Sequence, residues 1–116
     1  MSKELAQSIV SILDAKKAAD IVMLGVAELT IVADYFVIAT ATSTTHVRAL
    51  CEEVEHELEL KGIKPGHIEG KATGWVLMDY GSVVVHLFLP DAREMYNLER
   101  LWDDGAVEDI SRLLSE

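Results

Sequence analysis

The chain has 116 residues, 50% of them hydrophobic, and carries a formal charge of −10 from 20 acidic and 10 basic side chains. This length suits one domain with a buried core, and the apolar content excludes a largely disordered chain. The negative field repels phosphate backbones over any broad contact, so direct nucleic-acid binding is not the expected main activity. A basic protein partner is compatible with that field.

Cysteine usage and the N-terminus indicate the compartment. The one cysteine, Cys51, cannot form an internal disulfide and lies within a helical pattern, which favours a reducing compartment and a buried structural thiol over a nucleophile or a redox switch. The first four residues, Met-Ser-Lys-Glu, are not typical of a signal peptide, and no apolar run approaches the ~20 residues that span a bilayer. We therefore expect a cytoplasmic protein.

The first half of the chain predicts two amphipathic helices with two strands between them. Apolar residues recur at helical spacing over residues 3–16 and again over about 43–61. Residues 20–26 and 34–41 are strand candidates, and the nearly unbroken apolarity of the second run predicts a central strand. Five glutamates line the outer side of the second helix. They form either a solvated face or a docking strip for a basic partner.

Residues 74–90 predict a β-hairpin, because two β-branched-rich runs meet at Tyr80-Gly81 and glycine supplies the positive φ of a tight turn. A two-residue turn would pair Trp75 with His86. The period of two then places an aliphatic set on one face and a larger, mixed set on the other. This mixed face is the candidate surface for another molecule, and its members are Trp75, Leu77, Asp79, Ser82, Val84, His86 and Phe88.

The remaining elements complete the predicted fold. A short extended piece at residues 67–69 precedes the hairpin, a helical turn follows it at 91–96, and a last amphipathic helix is predicted around 107–114. Together these elements predict one domain over residues 1–116 with an α/β (α+β) fold, in which a mixed sheet of four to five strands has flanking helices. The helical crossover after the second strand permits a parallel pair beside the antiparallel hairpin.

A catalytic site finds little support in the sequence. The motifs that mark phosphate cradles, dinucleotide sites, zinc proteases and nucleophile elbows are absent, and the four histidines lie in separate elements, so neither a metal nor a cofactor is expected. Residues 39–45, between a strand and a helix, resemble an anion site, although helix capping explains them too. A nucleotidyltransferase-like enzyme or a nucleotide sensor would use this helix start. However, the predicted strands lack the paired carboxylates that hold magnesium.

Two residues of the mixed face admit both structural and functional interpretations. Asp79 stands at a strand end, where an aspartate either caps the turn or acts as an acid, but no second carboxylate obviously joins it. Trp75 either packs under a helix or stays exposed. Aromatic side chains clustered with a charge on a sheet surface are typical of protein-interface hot spots.

Several motifs lie in order along most of the chain. They are Asp34-Tyr35-Phe36-Val37-Ile38, Thr42-Ser43, Arg48, Glu69-Gly70, the run from Trp75 to Phe88, Arg93, Tyr96-Asn97-Leu98-Glu99 and Leu101-Trp102-Asp103. Together these motifs resemble the ribosomal silencing factor family, also called the Iojap family. The resemblance extends from about Leu5 to Asp103 and leaves the tail after Gly105 as the weakest match.

The resemblance implies a non-enzymatic protein that binds the large ribosomal subunit through ribosomal protein number fourteen, blocks subunit joining and represses translation. It also implies a role in ribosome biogenesis, a homodimer in isolation, and a fold similar to nucleotidyltransferases without their catalytic carboxylates. Membrane contact is not expected, and direct nucleic-acid contact should be small. A large-subunit assembly factor with transient ribosome contact is the alternative.

The partner-binding residues follow from the hairpin face and from the resemblance. They are Trp75, Leu77, Asp79, His86, Phe88, Arg93, Tyr96 and Glu99. A competing interpretation of Arg93, Tyr96 and Glu99, together with Trp102, is that they fasten the C-terminal helix to the sheet.

Overall fold

The computed structural model describes residues 2–70, 74–101 and 106–114. Its helices are α1 (Ser2–Ala15), α2 (Thr44–Glu59), α3 (Pro90–Tyr96) and α4 (Leu98–Leu101), and its strands are β1 (Ala19–Gly25), β2 (Tyr35–Thr40), β3 (His67–Glu69), β4 (Trp75–Asp79), β5 (Val83–Phe88) and β6 (Ala106–Val107). A 3₁₀ turn follows at Ser111–Leu113. None of the described helices is both long enough and apolar enough to cross a membrane.

The strands form one mixed sheet in the order β3-β4-β5-β2-β1-β6. β2 and β5 run parallel, with Tyr35 opposite Val83 and Thr40 opposite Phe88, and the other neighbouring strands are antiparallel. The crossover through α2 makes the parallel pairing possible, because it carries the chain back along the sheet. The predicted mixed sheet with flanking helices is confirmed, and the two-residue β6 adds an edge strand to it.

The first face of the sheet is covered by α1 and α2. The buried residues of the two helices recur every three or four positions and form one apolar stripe on each helix. They are Ala6, Ile9, Val10, Leu13, Val47, Leu50, Cys51, Val54 and Leu58. Strand residues such as Met78 and Val85 meet these stripes and complete the larger core. Cys51 is buried there, as predicted.

The second face carries a smaller core. Its buried members are Leu24, Val26, Ala33, Phe36, Ile38, Val84, Phe88 and Leu98. These residues come from alternate positions of β1, β2 and β5, from the loop before β2, and from α4. Trp75 and Leu77 of β4 are partly buried against this core. β2 is therefore enclosed on both sides, as predicted, whereas Trp75 and Leu77 on β4 are only partly buried.

The predicted register of the hairpin is wrong by two residues, because Trp75 pairs with Phe88 and not with His86. The reason lies in Ser82. It lies in the turn and not in the strand, because the backbone N–H of Tyr80 donates to the carbonyl oxygen of Val83 at 2.9 Å, and its own carbonyl oxygen accepts from the backbone N–H groups of Asp34 and Tyr35 at 2.7 and 3.1 Å. A shift of two keeps every side chain on its own face, so the predicted division of the hairpin into two faces is confirmed.

The predicted last helix around residues 107–114 is also wrong. Val107 belongs to β6 and pairs with Leu24 of β1, whose edge offers it backbone hydrogen-bond partners. After this strand, Oδ1 of Asp109 accepts hydrogen bonds from the N–H and the hydroxyl of Ser111, at 3.0 and 2.8 Å. Such local side-chain bonds compete with helix formation. The chain therefore makes a single 3₁₀ turn there.

Candidate functional site: an aromatic cluster on the second face

Five rings form an aromatic cluster on the second face: Phe36, Trp75, His86, Phe88 and Tyr96. The ring centroid of Trp75 lies 5.2 Å from that of Phe88, 5.9 Å from that of His86 and 4.6 Å from that of Tyr96. Phe36 meets His86 edge-on at 4.9 Å. The rings come together because β4, β5 and β2 are neighbours whose alternate residues share a face, while α3 brings Tyr96 over them.

A hydrogen bond links the two polar rings of the aromatic cluster. Trp75 and His86 are diagonal neighbours across β4 and β5, and the indole Nε1–H of Trp75 donates to Nδ1 of His86 at 3.1 Å. Because Nδ1 accepts, a neutral imidazole must carry its proton on Nε2. This Nε2 atom is buried and has no hydrogen-bond partner among the described residues.

Burial sets the charge state of His86. The residue is only 4% exposed, and this loss of hydration lowers the pKa of its imidazole from 6.5 to about 4. The physical cause is that a charged ring is poorly solvated among apolar neighbours. His86 is therefore neutral at neutral pH, and its Nδ1 remains an acceptor for the indole.

The aromatic cluster has a buried base and an accessible rim. Phe88 is fully buried and Phe36 nearly so, whereas Trp75 is partly buried and Tyr96 is 47% exposed. Met95, the neighbour of Tyr96 on α3, is 72% exposed. Trp75, Met95 and Tyr96 together form an apolar surface, called the docking rim below, that rests on a packed base.

Leu77 and Asp79 continue the second face along β4. Leu77 is partly buried against the smaller core. Asp79 stands at the end of the strand, where its Oδ1 accepts the backbone N–H of Gly81 at 2.8 Å. Gly81 has a φ of +81°, a value that side-chain-bearing residues rarely adopt. Asp79 therefore caps the turn, which is one of the two roles predicted for it.

Arg93 fastens α3 to the sheet. Its Nη1 donates hydrogen bonds to the backbone oxygen of Asp20 at 2.6 Å and to Oγ1 of Thr40 at 2.7 Å. These bonds hold α3, and with it the docking rim, against the ends of β1 and β2. The fastening role predicted as an alternative for Arg93 is thus confirmed. The side chain of Glu99 and the whole of Trp102 lie outside the described residues.

The start of α2, the other candidate site, satisfies its own polar groups. Ser43 is the N-cap, and its Oγ accepts the backbone N–H of His46 at 3.1 Å. Nδ1 of His46 accepts the backbone N–H of Thr42 at 2.9 Å, and its Nε2 lies 2.9 Å from the carbonyl oxygen of Lys16. This geometry supports the capping interpretation. Within the described ranges, no group of three histidine, cysteine or acidic side chains is arranged to hold a metal ion.

Two residues of the site were missed by the sequence reasoning. Met95 lies three residues after Ala92, the residue of α3 that packs on the smaller core, so helical spacing would have placed it on the edge of the same surface. Phe36 carries no such local signal. Its place beside His86 follows from the parallel pairing of β2 with β5, in which Phe36 lies opposite Val84.

An exposed aromatic rim above a rigid buried base is typical of a surface that binds another protein. The fold defines the class as an α/β domain with one mixed sheet, whose second face carries this aromatic rim. The family described as "Ribosomal silencing factor during starvation" matches residues 1–116. The chain belongs to this family, which confirms the resemblance found in its motifs.

Individual relatives cover nearly the whole chain. The ribosomal silencing factor RsfS of Halalkalibacterium halodurans is 36% identical over 115 residues, which are 98% of this chain and 98% of the relative. The protein of the same name from Bacillus subtilis is 41% identical over 98 residues, 84% of this chain and 83% of its own. A protein from Chromobacterium violaceum with a known crystal structure is 34% identical in sequence to this chain, and the two structures match with a TM-score of 0.86. The match covers 89% of this chain and 87% of the Chromobacterium violaceum chain.

A longer relative has a different name. The mouse protein called mitochondrial assembly of ribosomal large subunit protein 1 is 38% identical over 105 residues. These residues cover 87% of this chain and 46% of the mouse protein. The described domain is therefore shared between proteins named for silencing and a protein named for assembly.

Proposed function

We propose that this protein binds the large ribosomal subunit through ribosomal protein number fourteen, blocks joining of the small subunit and so represses translation. The observation that carries this proposal is the family match over all 116 residues. We place this activity in the cytoplasm, and it needs no bond-making step. The exposed rings on the second face and the net charge of the chain support it.

The docking rim has the physical properties of an interface anchor. Tyr96, whose ring centroid lies 4.6 Å from that of the partly buried Trp75, is 47% exposed, and Met95, its neighbour on α3, is 72% exposed. Large aromatic side chains that are already packed on a rigid base lose little freedom on binding, so more of their contact energy appears as affinity. Leu77 extends the apolar area along β4, while His86 and Phe88 support it from below.

The charge of the domain selects the kind of partner. A formal charge of −10 attracts a basic protein and repels the phosphates of ribosomal RNA around it. In this proposal Asp79 adds an acidic group to the second face, Glu99 is a further acidic contact, and Arg93 acts indirectly by holding α3. The contact is therefore made mainly with protein.

Exclusion by volume is sufficient to block subunit joining. The domain extends over 34 × 34 × 31 Å along its principal axes. A body of this size, bound on the surface where the two subunits meet, leaves no room for the usual intersubunit contacts. Repression then depends on the lifetime of the complex, and this lifetime is set by the anchors of the docking rim.

Co-sedimentation with purified large subunits tests the proposal. Wild-type protein should pellet with the subunits at low and moderate salt, and Trp75→Ala or Met95→Ala should shift it to the supernatant. Leu60→Ala is a matched control, because Leu60 is 71% exposed but ends α2, on the opposite side of the sheet. The proposal fails if wild-type protein stays in the supernatant, or if the Leu60 variant loses binding as much as the rim variants.

A role in large-subunit assembly is the second candidate, favoured by the name of the mouse relative. An assembly factor and a silencing factor can use the same docking rim, but they act at different times. Deleting the gene should leave immature large subunits in fed, growing cells if the protein acts in assembly. Mature subunits in such cells, together with unrepressed translation on starvation, would favour silencing.

We further propose that the isolated protein forms a homodimer, as the family resemblance implies. A second copy could cover the same docking rim, and dimer formation would then compete with ribosome binding. Sedimentation equilibrium tests this, since Met95→Ala should then weaken self-association. A monomer at all accessible concentrations would contradict it.

A further inference from the structure

We propose that His86 is a positioning residue for the docking rim, because its Nδ1 fixes the orientation of the Trp75 indole through a hydrogen bond. This inference rests on the proposed function, in which Trp75 is an anchor. It adds a role for a buried side chain that the partner itself does not need to touch.

Two contacts constrain the Trp75 ring in different ways. Phe88 stacks against it at 5.2 Å with an interplanar angle of 27°, which fixes the plane of the indole. Stacking alone leaves the ring able to turn over within that plane, because both orientations present an aromatic face to Phe88. The bond from Nε1 to His86, at 3.1 Å, selects one of them. The orientation of Trp75 under Tyr96 is thereby determined.

The polar pair is difficult to explain by stability. With Nδ1 accepting from the indole, the proton on Nε2 has no acceptor among the residues that the structure describes. A buried donor without a partner costs more free energy than one neutral hydrogen bond returns. An apolar side chain of similar shape would therefore suit this part of the core better. A requirement on the orientation of Trp75 accounts for the histidine, whereas a requirement for packing does not.

The consequence for binding is preorganisation. An anchor that is already held in its bound orientation loses less rotational freedom when the partner arrives. Loss of one such constraint is expected to weaken binding by roughly 2- to 10-fold. The effect appears in affinity and in the state of the free indole, while the folded structure is retained.

A matched pair of variants tests the inference. His86→Asn retains an acceptor, because Oδ1 of asparagine can take the place of Nδ1, whereas His86→Leu has a similar branched shape and no acceptor. We expect His86→Leu to bind large subunits roughly 2- to 10-fold more weakly than wild type in co-sedimentation, without loss of stability to urea. His86→Asn should bind nearly as well as wild type. In NMR spectra of the free proteins, the indole N–H resonance of Trp75 should move in the leucine variant and stay nearly in place in the asparagine variant.

The outcomes that overturn the inference are distinct from failure of the proposed function. Equal binding by wild type and His86→Leu overturns it, and so does equal weakening by both variants. If either variant does not fold, the position of the imidazole proton in the wild-type protein tests the inference. A proton on Nδ1 of neutral His86 would exclude the bond from Trp75 and would overturn the inference. If wild-type protein does not bind large subunits, the proposed function fails, while the indole and imidazole resonances still decide whether His86 orients Trp75.

Discussion

Mild acid should destabilise the protein through His86. Burial lowers the pKa of this imidazole from 6.5 to about 4 in the folded protein. Unfolding returns the ring to water, so between these two pKa values the unfolded chain binds a proton at His86 and the folded protein does not. The free energy of unfolding is therefore unaffected by this group above about pH 6.5 and decreases as the pH falls from about 6.5 toward about 4.

The size of the effect follows from the shift. Each pH unit in this window corresponds to about 1.4 kcal/mol for one group, so the full shift is worth about 3 kcal/mol and the step from pH 7 to pH 5 about 2 kcal/mol. Because a small domain is stable by roughly 5–15 kcal/mol, a change of this size is measurable. Carboxylates also titrate toward the lower end of this pH range. Wild type must therefore be compared with a variant that has the same carboxylates but lacks His86.

Urea unfolding at pH 7 and pH 5, followed by circular dichroism, measures this prediction. The difference in unfolding free energy between wild type and His86→Leu should change by about 2 kcal/mol between the two pH values, with wild type losing more on acidification. His56 is exposed, so His56→Leu controls for removal of a histidine as such. Parallel pH profiles for wild type and His86→Leu would refute the reasoning, since both proteins share the same carboxylates.

Two further predictions concern the frame that holds the docking rim. Replacing Arg93 by methionine removes its hydrogen bonds to Thr40 and to a β1 carbonyl, so the unfolding free energy should fall by about 1–3 kcal/mol. The control Arg48→Met, on the exposed side of α2, should change the unfolding free energy little. Equal effects of the two arginine variants would show that these bonds do not hold α3. Gly81→Ala should cost about 1–2 kcal/mol because Gly81 has a φ of +81°. Gly66→Ala, where an added Cβ would lie 3.7 Å from the nearest atom, should be nearly neutral, and an equally mild Gly81→Ala would contradict the strain argument.

Local patterns predicted most of the fold. The apolar steps of α2 identify a helix because only one face of it needs to be buried, and the observed stripe from Val47 to Leu58 follows that spacing. The continuous apolarity of β2 identified a central strand for a related reason, since both of its faces are covered. Such signals depend on the residues of a single segment, so the sequence contains them directly.

The wrong predictions concern segments whose backbone forms hydrogen bonds with residues far away in the sequence. The hairpin register was missed because the carbonyl oxygen of Ser82 bonds to the start of β2, which is far away in the sequence. The last helix was missed because Val107 pairs with β1, an edge whose free hydrogen-bonding groups cannot be read from residues 107–114. In both places a tertiary hydrogen bond overrides the local pattern.

The candidate site was predicted in part for the same reasons. Alternation along the hairpin was enough to place Trp75, Leu77, Asp79, His86 and Phe88 on one face, because a shift of two residues preserves that division. The bond between Trp75 and His86 depends on the true register. That register makes the two residues diagonal neighbours, and no sequence pattern reveals the tautomer that results.

The most direct test of the central claim is a subunit-joining assay. Large subunits are incubated with the protein, small subunits are added, and joining is followed by light scattering. Wild-type protein and the Leu60→Ala control should reduce joining equally, while the double variant Met95→Ala, Tyr96→Ala should have lost most of this inhibition. Unchanged joining at concentrations where wild-type protein pellets with large subunits would contradict the account, as would full inhibition by the double variant.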